Sequence, residues 1–319
     1  MFDALADWAV YRLGGLSPET SLGQALHFFV MDVVKILVLL TAIIYVMGLL
    51  RTLLAPERVR DFVKGRLTIA ARLLAVVLGA VTPFCSCSSV PLFIGFVEAG
   101  IPLGVTLSFL IASPMINEVA VVLLAGVIGW KLTALYVVTG MTVAFVGGLV
   151  LERFRPERWI EPYVLQMRMG SAPAVAEDTS FRARRAYAAG QVREIVGRIW
   201  KFVLIGVGVG AAIHGYVPQD FLAGLTKGGG VLSVASAVAI GVPLYSDAVG
   251  IVPIAQALLS KGVPLGTVLA FMMAVTALSL PEMIILRKVV RWPLLGLFAG
   301  YLALAFICVG LLFNALGLL

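Results

Sequence analysis

Residues 82–91 read TPFCSCSSVP, and the sequence on either side is oily, LLAVVLGAV before it and LFIGF after it. Two thiols, three serine hydroxyls and two prolines stand where a membrane span would carry none of them. Non-helical backbone is tolerated at bilayer depth only where it is buried in protein or lines a wet cavity. Cys85, Ser86, Cys87, Ser88 and Ser89 therefore read as the wall of a site, and the rest of the chain as the scaffold that holds it.

Composition sets the class. Of 319 residues, 61% are hydrophobic and only 13% charged, more apolar surface than a soluble core could bury. The mean hydropathy is +1.05. The reading is an all-α polytopic membrane protein, and 33 glycines suit closely approaching membrane helices. A net charge of +7 would elsewhere suggest nucleic acid, but here the charges lie between apolar segments, so no nucleic-acid partner is expected. Three cysteines make no disulfide framework, and Cys85 and Cys87 are too close in sequence to bridge without strain. The opening MFDALADWAVYRLGG is acidic and is not read as a cleaved signal peptide; residues 1–24 read as an amphipathic interfacial segment.

Taken in order, a first span covers about residues 26–50, with Asp32 and Lys35 spaced to pair on one face, and a basic loop covers 51–66. Residues 68–99 are broken at Pro83 into arms of ~22 Å and ~18 Å, both short of a ~30 Å hydrocarbon core. That predicts a re-entrant hairpin. Spans follow at about 103–126 and 132–151, then a polar linker over 152–192. The second half repeats the plan: a span at about 195–217, a broken segment at 231–259 around GVPLYSDAVG, and spans at about 264–287 and 292–317. AGIPLGVTLSFLIA (99–112) and KGVPLGTVLAFMMA (261–274) agree at 7 of 14 positions. Chance composition would give about one or two. Pro83 and Ser86 match Pro243 and Ser246 upstream, which sets Cys87 opposite Asp247. Membrane repeat 1 is thus 25–151 and repeat 2 is 193–319.

Charge counting orients the chain. Of 24 Lys and Arg, 19 lie within 51–72, 153–201 and 287–291. The positive-inside rule makes these regions cytoplasmic in a bacterial or archaeal plasma membrane. The segment 68–99 must then return to the side it entered, and two inverted repeats result, each of three spans plus one hairpin. The rival is eight spans with two discontinuous helices crossing fully. In transporters built from inverted repeats, substrate binds at broken helices near the bilayer midplane.

Each site residue has a plainer reading beside the functional one. A cysteine in a membrane helix usually packs; a pair one residue apart at a proline break also suits a soft, thiophilic ligand. Cys308 reads as packing, and His27 and His214 as interfacial. The serine hydroxyls could bond carbonyls freed at the break instead of a substrate. Glu118, Asp247 and Glu282 could carry a proton or cation that drives transport, or could pair with Lys or Arg inside the bundle. Asn117 beside Glu118, and Tyr245 and Ser246 beside Asp247, complete the candidate substrate-binding set. No catalytic constellation, resident metal site or cofactor motif is present, so the chain does not read as an enzyme and no cofactor is expected. The expected partners are a small-molecule substrate and the lipid bilayer; a homo-oligomer is allowed. A permease for a metal ion or small anion, with structural cysteines, is one alternative. A membrane thiol oxidoreductase is another, disfavoured because the pair closes poorly.

VTPFCSCSSVPLFIGFVEAGIPLG followed by FLIASPMINEVAV resembles the signature of the ArsP/YraQ-type predicted permeases, and the resemblance runs through the central polar linker to GVPLYSDAVGIVP. It implies an efflux permease for trivalent organoarsenicals such as methylarsenite, with Cys85 and Cys87 facing substrate among Ser86, Ser88 and Ser89.

Overall fold

The computed structural model describes residues 2–53, 68–81, 86–98, 100–116, 118–162, 164, 181–216, 229–244 and 248–316. The helices are α1 (Phe2–Ala6), α2 (Ser21–Leu53), α3 (Thr68–Val81), α4 (Ser86–Glu98), α5 (Leu103–Met115), α6 (Glu118–Ile128) and α7 (Trp130–Arg153). After a 3-10 turn at Pro156–Trp159 come α8 (Phe181–Tyr216), α9 (Val231–Gly241), α10 (Ala248–Ser260), α11 (Leu265–Ala277), α12 (Leu280–Leu286) and α13 (Trp292–Ala315). Helical segments long and apolar enough to cross a membrane lie at Ser21–Val38, Trp130–Arg153, Leu265–Leu286 and Trp292–Ala315. The chain is an all-α, multi-pass membrane protein. Helix and closed barrel are the only backbones that satisfy their own polar groups in lipid.

The segments read as unbroken spans at 103–126 and 264–287 are each two helices. Pro114 closes α5, and Ile116 leaves the helix at φ −119°, ψ 72°. In the second half Ser279 is extended at φ −63°, ψ 146°, and Pro281 lies in the first turn of α12, where a missing N–H costs nothing. Pro91 lies inside α4, as Pro253 does inside α10. The polar linker is also partly helical: α8 starts at Phe181 and runs 36 residues, ~54 Å, well beyond a bilayer core.

The two halves share one register. α4 and α10, α5 and α11, and α7 and α13 start and stop 162 residues apart. The turns between helices agree too. Gly100 and Gly262 both take φ +79°, which Gly adopts without steric cost. Gly100 N–H donates to the Val97 carbonyl and Ile101 N–H to that of Phe96; Gly262 and Val263 donate to Leu259 and Leu258 in the same way. This pair of bonds past a left-handed Gly is the Schellman helix stop. Close approach repeats as well: a Cβ on Gly79 would meet Ala112 at 2.9 Å and one on Gly241 would meet Ala274 at 2.7 Å. Among the described residues a single offset of 162 replaces the 160 read upstream, so Cys87 falls opposite Val249; Cys85 and Asp247 lie outside the described residues.

Neighbours fix the course of the first broken segment. Gly79, late in α3, and Ser89, early in α4, both meet the Ser113 end of α5. Phe96, late in α4, bonds Ile101 and crosses its ring with Phe109 at 5.0 Å. At the start of α3, Arg72 pairs with Glu152, whose side chain also lies against Gly104 at the start of α5. Helices α3 and α5 therefore run parallel and pack on each other, α4 runs antiparallel to both, and the chain comes back to the level it left.

Between halves the contacts are reciprocal. α4 packs on α12 and α6 on α10, while α2, α5 and α7 pack on their own counterparts α8, α11 and α13. Reciprocal contacts of this kind are what a two-fold relation produces. At the N-terminus, α1 and a π-helical turn at Asp7–Leu13 lie along α2, with Asp7 3.0 Å from His27 and Tyr11 stacked on the same ring.

Candidate functional site

Four helices of the central layer, α4, α6, α10 and α12, begin directly after a break. Each such start leaves backbone N–H groups without an intrahelical acceptor and carries the positive end of the helix dipole. Within each half the two breaks are tied together. In the first, Ser89 and Ser113, both buried, are joined Oγ to Oγ at 2.8 Å. In the second, the Leu280 N–H donates to the Val242 carbonyl at 2.7 Å, so the start of α12 rests on the end of α9. With α4 on α12 and α6 on α10, the interrupted helices of one half pack against those of the other.

Chemistry at the breaks follows from these positions. Ser86, Cys87 and Ser88 form the first turn of α4 and are described as backbone only. Pro91 has no N–H to give the Cys87 carbonyl one turn earlier, so that carbonyl lacks its usual helical donor. At the second break of the first half, the Tyr136 hydroxyl donates to the Met115 carbonyl at 2.8 Å, replacing a bond the interrupted helix would have made. The Ser89 hydroxyl bonds that of Ser113, linking α4 to α5.

Glu282 stands in the first turn of α12 with 3% of its surface exposed. Arg287, five residues on, pairs with Glu161 at 2.8 Å. Glu118 is the first residue of α6, and its side chain lies outside the described residues. Cys85, Asn117, Tyr245, Ser246 and Asp247 lie outside them altogether. Asp32 is buried on α2, away from the breaks in sequence. Cys308, read as packing, is exposed on the outer face of α13. Among the described residues no group of three or more His, Cys, Asp and Glu stands together to hold a metal ion.

One residue was missed by sequence reasoning. Ser279 is fully buried at the break before α12, and its Oγ has no hydrogen-bond partner among the described residues. Its position heads a Ser-Leu-Pro-Glu string that resembles a capping box, yet its side chain does not cap the helix. The signal that could have found it was the 162-residue register, which sets Ser279 opposite Asn117.

Comparison with known proteins agrees with this architecture. The UPF0718 protein MJ0584 of Methanocaldococcus jannaschii is 23% identical over 270 residues, covering 68% of this chain and 74% of the relative. The UPF0718 protein YraQ of Escherichia coli K12 is 23% identical over 250 residues, covering 77% of this chain and 68% of the relative. No solved structure matches. The ArsP_1 model, described as a predicted permease, matches residues 21–315, nearly the whole membrane body laid out above, and the chain belongs to that family.

Proposed function

We propose that this chain is a transporter that exports small thiophilic compounds, with trivalent organoarsenicals as the leading class, by alternating access. The observation that carries the reading is the reciprocal packing of interrupted helices, α4 on α12 and α6 on α10, with the string at residues 85–89 at the first of those interruptions. Broken helices at a repeat interface are a transporter's means of presenting backbone polar groups to cargo within the membrane. The two-fold axis lies in the membrane plane, so the repeats are inverted, and the Arg-rich regions face the cytoplasm. The chain resides in the plasma membrane and works without chemical conversion of its cargo.

In this scheme a trivalent arsenical reversibly exchanges its hydroxide or thiolate ligands for the sulfurs of Cys85 and Cys87, each displaced ligand leaving with the thiol proton as water or free thiol, while Ser86, Ser88, Ser89, Asn117, Tyr245 and Ser246 surround it. Protonation of Glu118, Asp247 or Glu282 biases the cycle, since an ion at bilayer depth is costly unless it is paired or wet. A Cys85→Ser/Cys87→Ser variant should lose protection of an arsenic-sensitive host against methylarsenite while inserting normally in the membrane. Protection equal to that of the unmodified chain would remove the thiol role.

The second reading is a permease for a small anion or metal ion, with the cysteines as packing. The hydroxyl-rich character of the described breaks, Ser89, Ser113 and Ser279, favours it. Uptake of arsenicals, antimonials and soft metals by everted vesicles separates the two: transport of oxyanions alone, unaffected by the Cys-to-Ser changes, selects the second.

A further inference from the structure

The 162-residue register makes the two ends of the bundle directly comparable, and they differ. At the end formed by the close of α6, the close of α10 and the start of α11, a cavity of about 580 Å³ opens between the halves. Val127, Ile128, Gln256 and Leu259 line it, with Asn314 of α13 at its edge. All of these reach the surface to some extent, and Gln256 is exposed. Counterparts of the first four at the other end are Val289, Val290, Ile94 and Val97, and these are 0%, 1%, 2% and 2% exposed. One register thus describes an open vestibule at one end and a sealed one at the other.

What fills the sealed end is visible. The chain leaves α7, turns at Arg155 in the left-handed region (φ 51°), makes the 3-10 turn and comes back beneath α12. Ile160 forms a β-bridge with Val290. Glu161 N–H donates to the Val289 carbonyl at 2.9 Å and Arg291 N–H to the Trp159 carbonyl at 2.7 Å. Pro156, Ile160 and Val164 are buried beneath this contact. The Arg287 guanidinium holds the return strand in place: it meets Glu161 at 2.8 Å, donates to the Val290 carbonyl at 3.3 Å and lies over the Trp292 ring at 5.3 Å. Among the described residues no such strand crosses the two vestibule residues that match Val289 and Val290: Val127 and Ile128 close α6, and Gly129 and α7 follow at once. α2 adds a second cover on this side by packing along α4.

We infer that residues 154–162 are a gate: they close one end of the transport path in the state seen here, while the end between α6 and α10 stands open. The gate is latched by one ion pair to α12's last turn and two backbone hydrogen bonds to the turn that follows it. Those bonds can be exchanged for water when the strand lifts, which is what a reversible closure needs. That the gated end is cytoplasmic rests on the orientation proposed above.

The test labels an engineered thiol with a membrane-impermeant maleimide, in the full-length chain with Cys308→Ser, in right-side-out and inside-out vesicles. Labelling of the same chain without the engineered thiol is subtracted to remove Cys85 and Cys87. Val127→Cys should react readily and Val289→Cys at least tenfold more slowly. Adding Glu161→Gln or Arg287→Gln to Val289→Cys should raise its rate at least tenfold, from inside-out vesicles only. The reversed pair Glu161→Arg/Arg287→Glu should restore slow labelling, which separates a broken latch from a misfolded chain. Equal rates for Val127→Cys and Val289→Cys, no acceleration by either single change, or no restoration by the reversed pair would each overturn the gate. Acceleration seen only in right-side-out vesicles would support the gate and overturn the proposed orientation. None of these readouts depends on the identity of the cargo.

Discussion

Replacing Glu152 by Gln should destabilise the fold more than replacing its partner Arg72 by Met, although both changes delete the same ion pair. Arg72 is 1% exposed, enclosed between α3, α5 and α7 with its guanidinium 5.7 Å from the Phe145 ring centre, whereas the Glu152 side chain is 38% exposed. Glu152→Gln leaves a guanidinium buried with its charge uncompensated, and about 3 kcal/mol is expected. That is the low end for a buried pair losing one partner, because Gln keeps an acceptor. Arg72→Met leaves a carboxylate that water can reach, and with a side chain of similar length filling the space the loss should be about 1 kcal/mol. The double variant Arg72→Met/Glu152→Gln should regain about 2 kcal/mol relative to Glu152→Gln alone, since the stranded charge is gone. The second half already shows a neutral solution at these positions, with Val234 opposite Arg72 and Asn314 opposite Glu152. There the Asn314 amide donates to the Gly229 carbonyl and the Thr267 hydroxyl, both at 3.1 Å. Equilibrium unfolding of the purified chain in mixed micelles by increasing SDS would measure all three variants. An Arg72→Met loss equal to or larger than that of Glu152→Gln, or a double variant no better than Glu152→Gln, would refute the assignment of the cost to desolvated charge.

Two further outcomes can be read by the same unfolding assay. Gly148→Ala and Gly310→Ala should each cost about 3 kcal/mol, at the upper end for overpacking, because the new methyl meets backbone carbonyls that cannot turn aside. It would press on the Gly104 carbonyl oxygen in the first half and lie 2.9 Å from that of Gly266 in the second. Gly300→Ala, where the space is open, should instead gain up to about 1 kcal/mol from helix propensity, and a similar loss at all three positions would refute the packing argument. Tyr136→Phe should cost about 1–3 kcal/mol by leaving the Met115 carbonyl without its donor at the break. Phe298 occupies the counterpart position, so the ring itself is tolerated, and an unchanged stability would mean that water already serves that carbonyl.

The chain's class, its duplication and the position of its first break were legible in the letters, each for a local reason. Apolar runs of span length leave few alternatives in water or lipid, and Pro83 with its polar neighbours disfavours one unbroken membrane helix over 68–99. The second interruption in each half was not legible. Pro114 near the end of a helix and Pro281 near the start of the next are both compatible with an unbroken but kinked span. What separates the two outcomes is the set of neighbours, Tyr136 reaching the Met115 carbonyl and Val242 reaching the Leu280 N–H, and these come from elsewhere in the chain.

Sequence alone determined the membrane environment, the all-helical answer and the two-fold internal likeness, because hydropathy and turn chemistry act over a few residues. Tertiary structure alone decided which residues share the centre, and that Ser279 is among them. It alone corrected the register to 162, since a helix start is set by where the backbone can exchange its bonds and not by matching prolines. It alone distinguished the two ends of the bundle. Val127 and Val289 are the same residue type in the same repeat position, and among the described residues the strand folded back over Val289 has no counterpart over Val127.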